Sequence, residues 1–110
     1  MTVAFAWKIE RLECRPRVGG LENVVGRVHW RLFGHEGGIQ ESIYGLAEIE
    51  VDEDAAFTPF DRLTEEAVVA WVEDGLGAGT VDGHKASLAR AVEARLDPPV
   101  VAMPLPWSAS

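Results

Sequence analysis

Cysteine, basic residues and long apolar runs are all scarce in these 110 residues, and each shortage excludes a class of protein. The single cysteine, Cys14, excludes an intrachain disulfide and a multi-cysteine metal site. Ten Lys and Arg residues stand against eighteen Asp and Glu, a net charge of -8, which argues against nucleic-acid binding because phosphate contacts need clustered cations. No apolar run approaches the roughly 20 residues that span a bilayer, and Lys8 and Glu10 interrupt the apolar start that a signal peptide requires. We therefore expect a protein made and used on the cytoplasmic side, or in a particle assembled there.

The first half of the sequence alternates apolar and polar residues at the period of a β-strand. Three alternating runs are separated by glycine-containing turns at residues 15–20 and 34–38, which predicts an antiparallel meander. In the first run the apolar residues shift from odd to even positions between Ile9 and Leu12. A β-bulge near Glu10 or Arg11 would restore a common apolar face.

The second half changes to the period of a helix. Thr64 is a suitable N-cap, Glu65 and Glu66 suit the first turn, and an apolar stripe follows until glycines at positions 75, 77 and 79 end the helix. A second helix is predicted from around residues 80–82 to about Leu96, where two prolines stop it.

These patterns predict an α+β fold, in which a three-stranded antiparallel meander is followed by two helices packed on one of its faces. Residues 1–99 form this single βββαα domain. Residues 100–110 form an extended tail that contains proline and tryptophan and is too apolar to remain in solvent. We expect it to dock on its own domain or on a neighbouring molecule.

No group of residues has the spacing of a catalytic, cofactor or metal site. The acidic stretch at residues 48–54 lacks the central glycine and closing glutamate of a calcium loop. The three histidines are scattered, and Cys14 has no histidine nearby in sequence to act as its base. The spaced glycines at positions 75, 77 and 79 follow a helix, whereas a dinucleotide-binding turn follows a strand. We expect a non-enzymatic protein without cofactor or metal.

Two groups of residues are candidates for protein contacts. The first is basic, lies on one face of the middle strand, and consists of Arg27, His29 and Arg31. This group forms either a docking surface for an acidic partner, such as the residue 48–54 edge of another copy, or cross-strand pairs within the sheet. The candidate partners in the second case are Glu10, Glu41 and Glu48.

The second candidate group is the Pro104-Leu105-Pro106-Trp107 segment of the tail. Tryptophan is enriched at the energetic centres of protein interfaces. The segment therefore packs either on this domain or against another molecule.

Several short motifs follow one another in a recognisable order along nearly the whole chain. They are Trp7-Lys8-Ile9, Asn23-Val24-Val25, Val28-His29-Trp30, Phe57-Thr58-Pro59-Phe60, Leu63-Thr64-Glu65-Glu66, Trp71-Val72, Pro98-Pro99-Val100-Val101 and Pro104-Leu105-Pro106-Trp107. In this order they resemble a family of short proteins from tailed bacteriophages. The resemblance implies a virion or assembly component and implies no catalytic residues.

The expected function is therefore that of a phage structural protein, either a capsid decoration (cement) subunit or a small tail or head-tail component. Its partners would be other virion proteins or copies of itself in a symmetric assembly, without nucleic-acid or membrane contacts. Its location would be the virion, assembled in the host cytoplasm. The alternative is an accessory protein, made during infection, that binds and modulates a host protein.

Overall fold

The computed structural model describes residues 2–50 and 57–107. Three strands, β1 (Ala4–Val18), β2 (Leu21–Glu36) and β3 (Ile39–Glu48), form one antiparallel sheet in the order β1-β2-β3. A 3-10 turn (Phe60–Arg62) then leads to α1 (Glu65–Leu76) and α2 (Ala78–Leu96). The α+β fold predicted from the sequence, a meander followed by two helices, is confirmed.

Both hairpin turns are shorter than the sequence predicted. Residues 15–18 belong to β1 and residues 34–36 to β2, so each turn has two residues. Pro16 does not end β1: Arg15 and Arg17 on either side of it pair with Val24 and Glu22, and here only position 16 itself is omitted from the pairing. In the second turn Gly37 and Gly38 both have positive φ, 58° and 82°, as the tightest antiparallel hairpins require.

Two bulges set which residues of β1 and β2 face each other. The first omits Glu10 from the pairing, between Ile9 and Arg11, and confirms the bulge predicted there. The second lies at Gly26, because Glu13 pairs with Arg27 while Cys14 pairs with Val25. Strict alternation along β2 does not predict this bulge, because alternation through Gly26 would place Val24, and not Val25, on one face with Val28 and Trp30.

The core lies between the sheet and the two helices, and Trp30 is its largest buried side chain. Its indole crosses β3 above Gly45, where an added Cβ would stand only 2.6 Å from Cε2. Trp7 packs edge-on against Trp30 with ring centroids 5.3 Å apart. Val68 and Val72 of α1 are buried against the same cluster, which confirms that the helices cover one face of the sheet.

The helix boundaries follow from their capping residues. The Thr64 side chain accepts a hydrogen bond from the Ala67 backbone N–H at 3.2 Å, as predicted for the N-cap of α1. Gly77, at φ 85°, ends α1 and directly precedes α2, which therefore begins before the predicted residues 80–82. A single glycine with positive φ reverses the chain without a longer loop. Neither helix in the described chain is long and apolar enough to cross a bilayer.

Candidate functional site

The segment after α2 is the largest group of exposed apolar side chains in the described chain. We call residues 100–107 the apolar tail; it lies outside every helix and strand. Val100 is 87% exposed, Trp107 77% and Leu105 54%, and Val101 and Met103 are exposed as well. Packing of the tail on its own domain was one of the two alternatives expected from the sequence, and the structure does not show it. Pro104 and Pro106 lie in the same exposed stretch.

The point where the tail leaves the domain is held in place by α2. Arg95 donates from Nη1 to the Gln40 carbonyl oxygen at 3.2 Å and to a Glu41 carboxylate oxygen at 3.3 Å. Leu96, the last residue of α2, lies against Gly37 in the β2–β3 turn. The end of α2 is thus fixed beside the start of β3. Pro98 and Pro99 follow, and both restrict the backbone to extended conformations.

The basic residues of β2 lie on the face of the sheet that the helices leave uncovered, which we call the outer face. Arg31 pairs with Glu10 and donates to the Ser42 hydroxyl at 2.9 Å. Arg27 pairs with Glu48 at 3.2 Å and with Glu13 of β1 at 3.5 Å. Two of the three predicted cross-strand partners, Glu10 and Glu48, are therefore present.

The third predicted partner, Glu41, pairs with Arg95 of α2. Glu13 of β1 pairs with the basic residues in its place. Glu13 lies 3.5 Å from Arg27 and 2.7 Å from His29. Glu13 was not among the predicted partners, because its position opposite Arg27 depends on the bulge at Gly26. All three basic side chains are compensated by carboxylates from the same chain, so this group offers little excess positive charge to an acidic partner.

His29 connects the three strands by a chain of hydrogen bonds. The His29 hydrogen bond, together with nearby Arg27, lowers the pKa of the Glu13 carboxyl. Glu13 is therefore an acceptor, and the imidazole donates to it from Nε2. In the neutral ring this leaves Nδ1 as an acceptor for the Tyr44 hydroxyl, 2.5 Å away on β3.

This tyrosine–histidine–carboxylate order resembles the arrangement that activates a catalytic hydroxyl. Catalysis requires in addition a cleft in which other polar groups converge on a reacting atom. Here the chain lies along an open sheet face, with Tyr44 48% exposed. Its evident effect is to link β1, β2 and β3 in one register.

The remaining candidate residues have structural surroundings. Cys14 packs beside the core, and burial raises the pKa of its thiol, which disfavours the reactive thiolate. His84 stacks near Trp30 with ring centroids 5.7 Å apart. Within residues 2–50 and 57–107, no three His, Cys, Asp or Glu side chains converge as metal ligands.

A groove of about 700 Å³, not predicted from the sequence, lies at the end of the sheet that carries the β1–β2 turn. Charges of both signs line it, from Glu13, Glu48 and Glu50 and from Arg15 and Arg27. Arg27 is already paired with Glu13 and Glu48. This mixture of charges favours no particular class of ligand.

The two groups of candidate residues lie apart. The structure brings Arg27, His29 and Arg31 together in one network of ion pairs and hydrogen bonds. The apolar tail leaves the domain beside the start of β3, away from this network. No curated protein and no solved structure matches the chain. The pattern of one family, described as "Domain of unknown function (DUF7936)", matches residues 2–107, which include the sheet, both helices and the apolar tail. The chain belongs to this family.

Proposed function

We propose that this protein is a non-catalytic structural subunit that joins a larger assembly through its apolar tail. The observation that carries the proposal is the exposure of the tail: five large apolar side chains stand in solvent although the domain has a complete core without them. Exposed apolar groups on this scale mark surfaces that another molecule covers.

The energetics favour binding by such a segment. Full burial of a Val, Leu or Met side chain contributes ~1.5–3 kcal/mol, whereas ordering the backbone costs ~1–2 kcal/mol per residue, so burial of the apolar side chains offsets most of the cost of ordering this short segment. The prolines lower that cost further, because they restrict the free tail to extended conformations before it binds. The attachment through Arg95 and Leu96 holds the root of the tail on a rigid element.

The setting that we propose is a phage particle, in which the subunit serves as a capsid decoration protein or as a small tail or head-tail component. The resemblance to short proteins of tailed bacteriophages supports this setting. In a symmetric particle the several weak contacts of one subunit add through high effective concentration, so a short segment contributes to stable attachment without binding tightly by itself.

The test is to delete residues 104–110 and to measure both incorporation into purified particles and the melting temperature of the isolated chain. Loss of incorporation with unchanged melting is the expected result. Unchanged incorporation with a lower melting temperature would show that the segment serves only its own domain and would overturn the proposal. If the full chain is absent from purified particles by mass spectrometry but abundant in infected-cell lysate, the accessory-protein alternative replaces the structural role.

A further inference from the structure

The two edges of the sheet differ in how they are protected against the addition of another strand. The β1 edge carries charged side chains, which natural edge strands use to prevent pairing with other chains. One of its backbone donors, the Ile9 N–H, is bonded to Glu65 of α1 at 3.0 Å. The charged residues on β1 are Lys8, Glu10, Arg11, Glu13, Arg15 and Arg17.

The outward groups of β3 can be identified from the hairpin geometry. The residues that flank a two-residue turn form a hydrogen-bonded pair, and bonded and non-bonded pairs then alternate along the strands. Glu36 and Ile39 flank the turn, so the odd residues of β3 bond to β2, and the Ile49 N–H continues this series by donating to the Gly26 carbonyl oxygen. The even residues therefore direct their N–H and C=O groups away from β2.

Among residues 2–50 and 57–107, nothing covers most of the edge that the even residues of β3 supply. Within the described chain, the Gln40 carbonyl is bonded to Arg95, and beyond it come Ser42, Tyr44, Leu46 and Glu48. Only the last of these four side chains is charged. Tyr44 and Leu46 are apolar in bulk and stand 48% and 51% exposed on the outer face. Such an edge is a template for an additional strand.

The apolar tail has the residue pattern of a strand that pairs along one side only. In an extended strand, alternate residues direct their backbone groups to opposite sides and their side chains to opposite faces. The odd residues of the tail all have an N–H and all have large apolar side chains; they are Val101, Met103, Leu105 and Trp107. The prolines occupy even positions, 104 and 106, where a final edge strand faces solvent.

We propose that the apolar tail of one copy adds as a fourth strand, antiparallel, to the β3 edge of a second copy. In an antiparallel pair, residues directly opposite each other place their side chains on the same face. The odd side chains of the tail then lie on the outer face, with Met103 opposite Leu46 and Leu105 opposite Tyr44. Met103 and Leu105, 73% and 54% exposed in the free chain, would thus cover the two exposed apolar side chains of β3. This inference rests on the proposed function and names the partner and the mode of contact.

The tail cannot make this pairing with its own β3. The end of α2 is fixed beside Gln40 and Glu41, at the start of β3. A tail that turned back from this point would run parallel to β3, and in a parallel pair the same outward bonding would place the even residues, with both prolines, next to Tyr44 and Leu46. The antiparallel direction requires a tail that arrives from another copy.

The test measures the self-association of the full chain by sedimentation velocity over a concentration series, with three tail variants. Met103→Pro removes an N–H that faces β3, whereas Ala102→Pro removes one that faces solvent. Met103→Leu keeps both the N–H and the side-chain volume. We expect Met103→Pro to weaken the association constant at least tenfold, and the other two variants to change it by no more than about twofold. Equal effects of Ala102→Pro and Met103→Pro would overturn strand addition.

A complementation experiment tests the partner. A chain that ends at Pro99 retains the β3 edge but lacks the tail, and a Leu46→Pro chain retains the tail but lacks an outward N–H on β3. Each is expected to remain monomeric alone, and their mixture is expected to form a 1:1 complex. Failure to form this complex, or a wild-type chain that is monomeric at every concentration, would overturn the second-copy inference. The proposed function would then still stand if deletion of residues 104–110 abolishes incorporation into particles, and it would fall if that deletion has no effect there.

Discussion

Replacement of Gly45 by alanine is expected to destabilise the domain through a clash with one buried side chain. The new Cβ would lie 2.6 Å from Cε2 and 2.9 Å from Cη2 of Trp30, whose indole is 3% exposed and held by Trp7 on one side. Overfilling a packed core costs ~1–3 kcal/mol, and the reduced freedom of the unfolded chain returns ~0.4–1 kcal/mol. The net loss is about 1–2 kcal/mol.

A loss of this size lowers the melting temperature by about 5–15 °C in a domain of this length. Thermal unfolding followed by circular dichroism measures it. Gly83→Ala is the matched control, because an added Cβ there meets no atom within 4 Å and alanine is favoured within α2. This control is expected to raise the stability by ~0.5–1 kcal/mol.

A double-mutant cycle tests the cause of the loss. Trp30→Phe removes the ring that overlaps the new Cβ, so in that background Gly45→Ala is expected to cost less than half as much. If Gly45→Ala melts at the wild-type temperature, or if its cost is the same with phenylalanine at position 30, the indole does not cross β3 at Gly45 and the packing described here is wrong.

Three further results are expected from the described contacts. Thr64→Ala removes the N-cap bond of α1 and should reduce the free energy of unfolding by ~1 kcal/mol, whereas Thr80→Ala, an exposed site within α2, should not reduce it. The pKa of Glu13 is lowered in the fold, so the stabilisation from its ionised form is present above the pKa of ~4.3 of an unfolded glutamate and disappears as the pH falls through the folded pKa. Chemical denaturation at several pH values should therefore show a smaller acid-induced loss of stability in Glu13→Gln than in the wild type. An equal loss would show that the Glu13 carboxyl does not stabilise the fold. The raised pKa of Cys14 predicts slow reaction with a thiol reagent at pH 7–8 in the native protein and fast reaction in urea; equal rates would show that the thiol is not protected.

The local signals in the sequence predicted the fold well. The shift of apolar positions between Ile9 and Leu12 located the first bulge, because one inserted residue is the only way to keep both halves of β1 on one face. Thr64 located the start of α1, because its hydroxyl satisfies a backbone donor that the helix itself leaves free. Both signals depend on neighbours in sequence.

Features that depend on alignment between strands were not predictable in the same way. The bulge at Gly26 changes which β1 residue faces Arg27, and so determines that Glu13 pairs with it. The need for glycine at position 45 arises from Trp30, fifteen residues earlier on another strand. The exposure of the apolar tail follows from the direction in which α2 ends, which no pattern within residues 100–107 encodes.

Hydrogen exchange of the backbone amides of the apolar tail tests most directly whether this segment serves other molecules and not its own domain. The amides of Val101, Met103, Leu105 and Trp107 can be followed by NMR in the dilute chain and by mass spectrometry in the assembled state. They are expected to exchange at free-peptide rates in the dilute chain and at least tenfold more slowly after assembly. Protection in the dilute chain, or unprotected amides after assembly, would contradict the intermolecular role of the tail.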